Sequence, residues 1–136
     1  MSRILVAVLV AAAMLPACAA DLTITVQGVA SADGQVMIAL YDSADSFLGR
    51  PLRAVAAPAT QGDVQVQVKD LAAGEYAFAI YHDANGNGKL DRNAAGMPIE
   101  DYGFSNNALG KRGAPAFEDA RVLLPVAGAA ASVSLR

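Results

Sequence analysis

Three features of the sequence predict an all-β protein. Apolar and polar side chains alternate with a period of two in several short runs, and no stretch carries the 3.6-residue period of a long amphipathic helix. Gly-, Asp- and Ala-containing turn signals separate the runs. About seven short strands at this spacing argue an immunoglobulin-like or transthyretin-like sandwich. One long loop interrupts the pattern, and its composition is that of a metal-organised segment.

The strands follow in order. Leu22, Ile24 and Val26 alternate with Thr23, Thr25 and Gln27, while Val64, Val66 and Val68 alternate with Asp63, Gln65, Gln67 and Lys69. Val133 and Leu135 alternate with Ser132, Ser134 and Arg136. Such strands put one face in a core and the other in water. Residues 35–42 and 75–82 are apolar on both faces, as expected of central strands, and residues 52–57 and 121–126 complete the set. Ala32-Asp33-Gly34 marks a hairpin and Ala72-Ala73-Gly74 a tight turn. Residues 43–50 read as a polar connection holding one helical turn.

Residues 1–20 read as a secretory signal peptide. Arg3 and the free amino group precede an apolar run over 4–14, then Pro16 and the small residues Ala17-Cys18-Ala19-Ala20. That run is shorter than the roughly 20 apolar residues a membrane-spanning helix needs. Leu15-Pro16-Ala17-Cys18 also looks like a degraded lipobox, which would leave Cys18 lipidated. Ordinary cleavage after Ala19 or Ala20 would leave no Cys at all. Either way the expected mature unit is a single domain, 21–136, exported to the periplasm or beyond and without a transmembrane segment.

Composition narrows the chemistry. Of 136 residues, 54% are apolar, 6% aromatic and 17% charged, with ten Lys plus Arg against 13 Asp plus Glu. The mild negative balance lacks the basic stripe that nucleic acid requires. One Cys and one His exclude a disulfide framework and a Cys-rich zinc site.

Some 36 residues, 83–118, read as neither strand nor helix. Loops of that length in compact domains are usually functional or disordered, and the aromatic residues here argue against disorder. The insert opens with Asp83-Ala84-Asn85-Gly86-Asn87-Gly88-Lys89-Leu90-Asp91-Arg92-Asn93. An EF-hand-type calcium loop uses side chains at positions 1, 3 and 5, Gly at 6, a backbone carbonyl at 7 and often a water-bridged group at 9. Asp83, Asn85, Asn87, Gly88, the Lys89 carbonyl and Asp91 occupy those positions, with Asn93 at position 11. Every donor is a hard oxygen, which suits calcium better than zinc, copper or magnesium. Position 12 is Ala94, so the usual bidentate Glu is missing there. Glu100, swung back by a turn at Gly96 and Pro98, is the candidate to close the shell. The competing account is a metal-free turn, since Asn85-Gly86 and Asn87-Gly88 are strong type I′ formers. That account leaves Asp83, Asp91 and Asn93 unexplained.

Tyr76, Phe78, Ile80 and His82 share one strand face, which sets His82 at the rim of the core. No nucleophile or orienting partner for His82 is evident. The adjacent carboxylates Glu100-Asp101 and Glu118-Asp119 diverge if the backbone is extended, so each pair reads as one ligand or cap beside one solvated charge. Residues 102–108 read as a packed loop in which Tyr102 and Phe104 pin the insert and the Asn pair caps backbone groups. Their alternative use is a platform for sugar rings.

The residues together resemble a known family. A strand ending in Tyr81-His82-Asp83, then DxNxNGxLDxN, then GxPxExYGFSNNA, then a Pro-x-Phe-x-x-Ala run is similar to the bacterial exported family, domain of unknown function 2141. The resemblance runs from Leu22 to the final strand and implies a signal peptide and a small all-β domain, without an established activity. Asp83, Asn85, Asn87, Asp91, Asn93 and Glu100 match its motif. Residues 113–117 are looser, with Ala114 and Ala116 where Pro and Ser are more typical, and no role is carried onto them.

The expectation is an exported β-sandwich of unknown molecular function, a calcium-stabilised binding or envelope-associated module with a protein or polysaccharide partner. A metal-free structural domain is the alternative. A hydrolase using Glu100 or Asp101 with His82 is a third reading, and the chain is not expected to be an enzyme.

Overall fold

The computed structural model describes residues 19–111 and 113–136. The signal peptide and the lipidation of Cys18 therefore lie outside the described residues, except for Ala19 and Ala20. Among the described residues there are eight strands: β1 (Ala19–Val29), β2 (Gln35–Tyr41), β3 (Arg53–Pro58), β4 (Gly62–Ala72), β5 (Gly74–Asp83), β6 (Tyr102–Phe104), β7 (Val122–Leu124) and β8 (Ala129–Ser134). Two sheets result, β4-β1-β8 and β3-β2-β5-β6, with β7 paired to the first residues of β5. The fold is an all-β sandwich.

Alternation decides what each face meets. In β1, Leu22, Ile24 and Val26 point inward and are almost fully buried, opposite Val68, Val66 and Val64 of antiparallel β4. On its other edge β1 pairs in parallel with β8, which supplies Val133. The facing sheet contributes Val36, Ile38 and Leu40 from β2 and Tyr76, Phe78 and Ile80 from β5. Burying a large aliphatic or aromatic side chain stabilises the fold by about 1.5–3 kcal/mol each, so this interleaved set is the main source of stability. Near the start of β1 the register with β4 shifts, and Asp70 takes φ 60° there. The Asp21 carboxylate accepts the Asp70 N–H at 3.1 Å.

The outer face of the second sheet is covered as well. Over residues 43–50 the chain makes one helical turn, with the Phe47 N–H on the Ser43 carbonyl at 3.1 Å. Phe47 packs edge-on to Tyr41 of β2, Phe104 of β6 and Phe117, with ring centroids 5.3, 6.5 and 5.8 Å away. Between β2 and β6 lies β5, whose outward residues there are Ala77 and Ala79, and Ala77 is fully buried. Small side chains on that strand leave room for the Phe47 cover.

The insert holds more regular structure than its composition predicts. β6 pairs with Ala79–Tyr81 of β5, a 3₁₀ turn follows at Ser105–Asn107, and one helical turn spans Phe117–Ala120. These elements tie the sheets together. Tyr102 and Arg136 exchange two backbone hydrogen bonds, at 3.0 and 3.2 Å, which join β6 to the residue two positions past β8. Asn107 Oδ1 accepts the Ser134 N–H, and Asn106 donates to the carbonyls of Asp119 and Arg121. At the opposite margin the Arg53 guanidinium donates to the carbonyls of Lys69 and Asp70.

Candidate metal centre

The last residue of β5 begins the site. Asp83 pairs with Gln35 at the sheet end and is fully buried. Its carboxylate turns forward along the chain and accepts the N–H groups of Asn87 at 3.2 Å and Gly88 at 2.8 Å, while its carbonyl accepts the Gly86 N–H. Those bonds wind residues 83–88 into a tight loop, helped by positive φ at Gly86 and Gly88 (68° and 75°). The β1–β2 connection packs beneath it; Ala32-Asp33-Gly34 makes a turn there, but not the expected hairpin, because β1 and β2 lie in different sheets and the chain crosses from one to the other. Gly34 has φ 65°, and a Cβ there would run into the Asp83 carbonyl. His82 is buried, and its Nε2 lies 2.7 Å from the Asp33 carbonyl.

Glu100 returns through a small hairpin. Ile99 N–H meets the Asp91 carbonyl and Asn93 N–H meets the Met97 carbonyl, both at 2.9 Å, around a turn in which Gly96 has φ 80°. Glu100 then accepts the Ala84 N–H on one oxygen at 3.1 Å and the Asp91 N–H on the other at 2.9 Å. The turn at Gly96 and Pro98 thus carries Glu100 back to the start of the loop, as its sequence suggests.

Asp91 joins the two halves. Its carboxylate accepts the side-chain amides of Asn85 at 2.5 Å and Asn87 at 2.7 Å. Those amides, Asn87 before Asn85, hold the Asp91 carboxyl below its ordinary pKa. The carboxamide oxygens of the two Asn residues in turn accept the backbone N–H groups of Asn87 and Lys89. Tyr81 donates its hydroxyl to the Gly88 carbonyl at 3.0 Å. Burial, and then the charges of Asp83, Glu100 and Asp91, raise the Tyr81 phenol, so all three carboxylates are felt at that one hydroxyl.

Of the residues singled out in the sequence, Asp83, Asn85, Asn87, Lys89, Asp91 and Glu100 lie in one hydrogen-bonded knot. Asn93 is placed differently: its side-chain oxygen accepts the N–H groups of Ala95 and Met97, each at 3.0 Å, and caps its own turn. Among the described residues no three His, Cys, Asp or Glu side chains are set at metal-holding geometry around one point. The oxygens nonetheless keep capacity. A carboxylate has about four lone-pair sites, and two backbone N–H groups occupy half of those on Asp83 and on Glu100. The side chains of the knot include three carboxylates and no thiolate, and its two carboxamides turn their NH₂ groups toward Asp91.

Sequence reasoning missed two supporting residues. Asp33 acts through its carbonyl, which no side-chain pattern reveals. Ser105 is fully buried, and its hydroxyl accepts the Phe78 N–H at 3.0 Å and donates to the Ala120 carbonyl. The ring nitrogen of His82 engages the Asp33 carbonyl, not a carboxylate of Glu100 or Asp101. Asp101 meets His82 only through backbone, its carbonyl accepting the His82 N–H at 2.9 Å.

No helix among the described residues is long and apolar enough to cross a membrane. Comparison with curated proteins and with solved structures finds no match. A family model described as an uncharacterized protein conserved in bacteria (DUF2141) matches residues 24–132, and the chain belongs to that family.

Proposed function

We propose that the protein is an exported binding or envelope-associated module whose loop from Asp83 to Glu100 takes up calcium. The observation that supports this reading is that three carboxylates and two carboxamides from across 18 residues of chain are linked into one hydrogen-bonded loop, anchored to the sandwich by buried Asp83. Without an ion, the Asn85 and Asn87 amide nitrogens face Asp91 and offset its charge. A half-turn of each carboxamide would present oxygen instead, which a cation between the groups favours. That exchange releases the N–H groups of Asn87 and Lys89 from their side-chain acceptors, and this cost suits a modest affinity, on the order of 10⁻⁴ M or somewhat tighter. Calcium titration of the mature domain, read by calorimetry, tests the reading, and Asp83→Ala should abolish the response. Mass spectrometry of the mature N-terminus tests export and distinguishes a lipidated Cys18 from plain cleavage.

A second reading has its own support. No buried side-chain polar atom among the described residues lacks a partner, so the loop is satisfied without an ion. On that reading the protein is a structural exported domain, and its thermal stability ignores calcium and chelator alike.

A further inference from the structure

We propose that the cleft between the returning hairpin and β6 binds a free amphiphilic carboxylate, an apolar chain with one anionic head. The cleft encloses about 600 Å³ and is lined by Leu90, Arg92, Met97, Tyr102, Phe104 and Leu109 among others. That is within the range of small-molecule sites, about 300–1,000 Å³. Its floor is aromatic: the Tyr102 and Phe104 rings meet edge-on with centroids 5.9 Å apart, and Phe104 also packs edge-on against Phe47. Its rim is apolar and open to water, with Met97 61% and Leu109 63% exposed. Grouped exposed apolar side chains mark interaction surfaces, and a concave one of this volume fits a ligand-binding groove.

Charge selects the head group. Arg92 is the one charged side chain among the described lining residues. It donates one N–H to the Gly96 carbonyl at 3.0 Å and makes no ion pair among the described residues. A guanidinium carries five N–H donors, so a carboxylate can be received in a bidentate fork at the cleft wall while an acyl chain lies over Tyr102 and Phe104.

This inference deepens the binding half of the function proposed above and does not rest on the ion, because calcium and the ligand are titrated separately and each can fail without the other. The test is calorimetric titration of the mature domain with decanoate below its micelle concentration, in buffer free of divalent ions, with decanol as the uncharged control. The expected result is saturable one-to-one binding of decanoate and binding of decanol about tenfold weaker or more. Arg92→Gln should bring decanoate down to the level of decanol, and Leu109→Glu, on the exposed rim, should abolish both. No binding of decanoate by the parent protein, or equal binding by Arg92→Gln, overturns the proposal. A concentration-dependent mass in sedimentation that decanoate does not reverse would assign the cleft to a second copy of the chain and overturn it equally.

Discussion

Glu100 closes a nine-residue excursion onto Asp91, whose backbone N–H it accepts at 2.9 Å while its other oxygen takes the Ala84 N–H. One carboxylate therefore pins both ends of the loop to each other, the role that strand ladders fill elsewhere in the sandwich.

That geometry makes Glu100→Gln informative. The amide keeps one acceptor oxygen but turns an NH₂ toward a second N–H donor, so one of the two bonds is lost. Urea denaturation should show a loss of about 1 kcal/mol, with the slope unchanged because the sandwich itself is untouched. A variant as stable as the parent would mean that the pin carries no energy.

Ser105 is the corresponding test for the fold. β6 pairs with β5 as far as Ala79, and β7 takes over at Tyr76, so the Phe78 N–H falls in the gap and is met by the Ser105 hydroxyl. Ser105→Ala leaves that buried N–H and the Ala120 carbonyl without this partner. The expected destabilisation is about 1–3 kcal/mol, measured by thermal or urea unfolding. Ser105→Thr, which keeps the hydroxyl, should lose less if the extra methyl is accommodated.

The Asp91 carboxyl is held below its ordinary value, first by the Asn87 amide and then by Asn85. A depressed folded-state pKa stabilises the fold above the unfolded value, about 3.9 for Asp, and that contribution disappears as pH falls through the folded value. The stability difference between the parent and Asp91→Asn should be constant near neutrality and shrink below about pH 4. Tyr81 works in the opposite window: its phenol is raised, so its contribution is present below the ordinary tyrosine value and lost as pH rises through the raised one. Acid and alkaline unfolding profiles of Asp91→Asn and Tyr81→Phe check both signs.

Most strands were legible because the pattern that reveals them is local. Thr23, Thr25 and Gln27 face water between buried Leu22, Ile24 and Val26, so β1 announces itself. The central strands β2 and β5 were legible for the opposite reason, being apolar on both faces. The outer-face alanines, which composition alone does not explain, are Ala77 and Ala79 making room for Phe47. β6 was not legible: it is three residues long with Gly103 at its centre, and its strand character comes from distant partners, Ala79–Tyr81 and Arg136. Gly103 is fitted to that place, since a Cβ there would lie 2.9 Å from the Ser134 carbonyl. In the candidate site, spacing grouped Asp83, Asn85, Asn87 and Asp91, and the turn signal at Gly96 and Pro98 added Glu100. Spacing also counted Asn93, which the turn at Gly96 draws toward Ala95 and Met97 instead. The carbonyl of Asp33 under His82 could not be read at all, because a backbone acceptor has no sequence signature.

The most direct test of the account is the thermal stability of the mature domain in chelator and at saturating calcium. If calcium binds only the folded state, about a hundred times the dissociation constant should add roughly 2.7 kcal/mol, and Asp83→Ala should erase that increment while the sandwich stays folded. A midpoint that is the same in calcium and in chelator, with no heat of calcium binding, would contradict the account and leave the loop a turn held by hydrogen bonds alone.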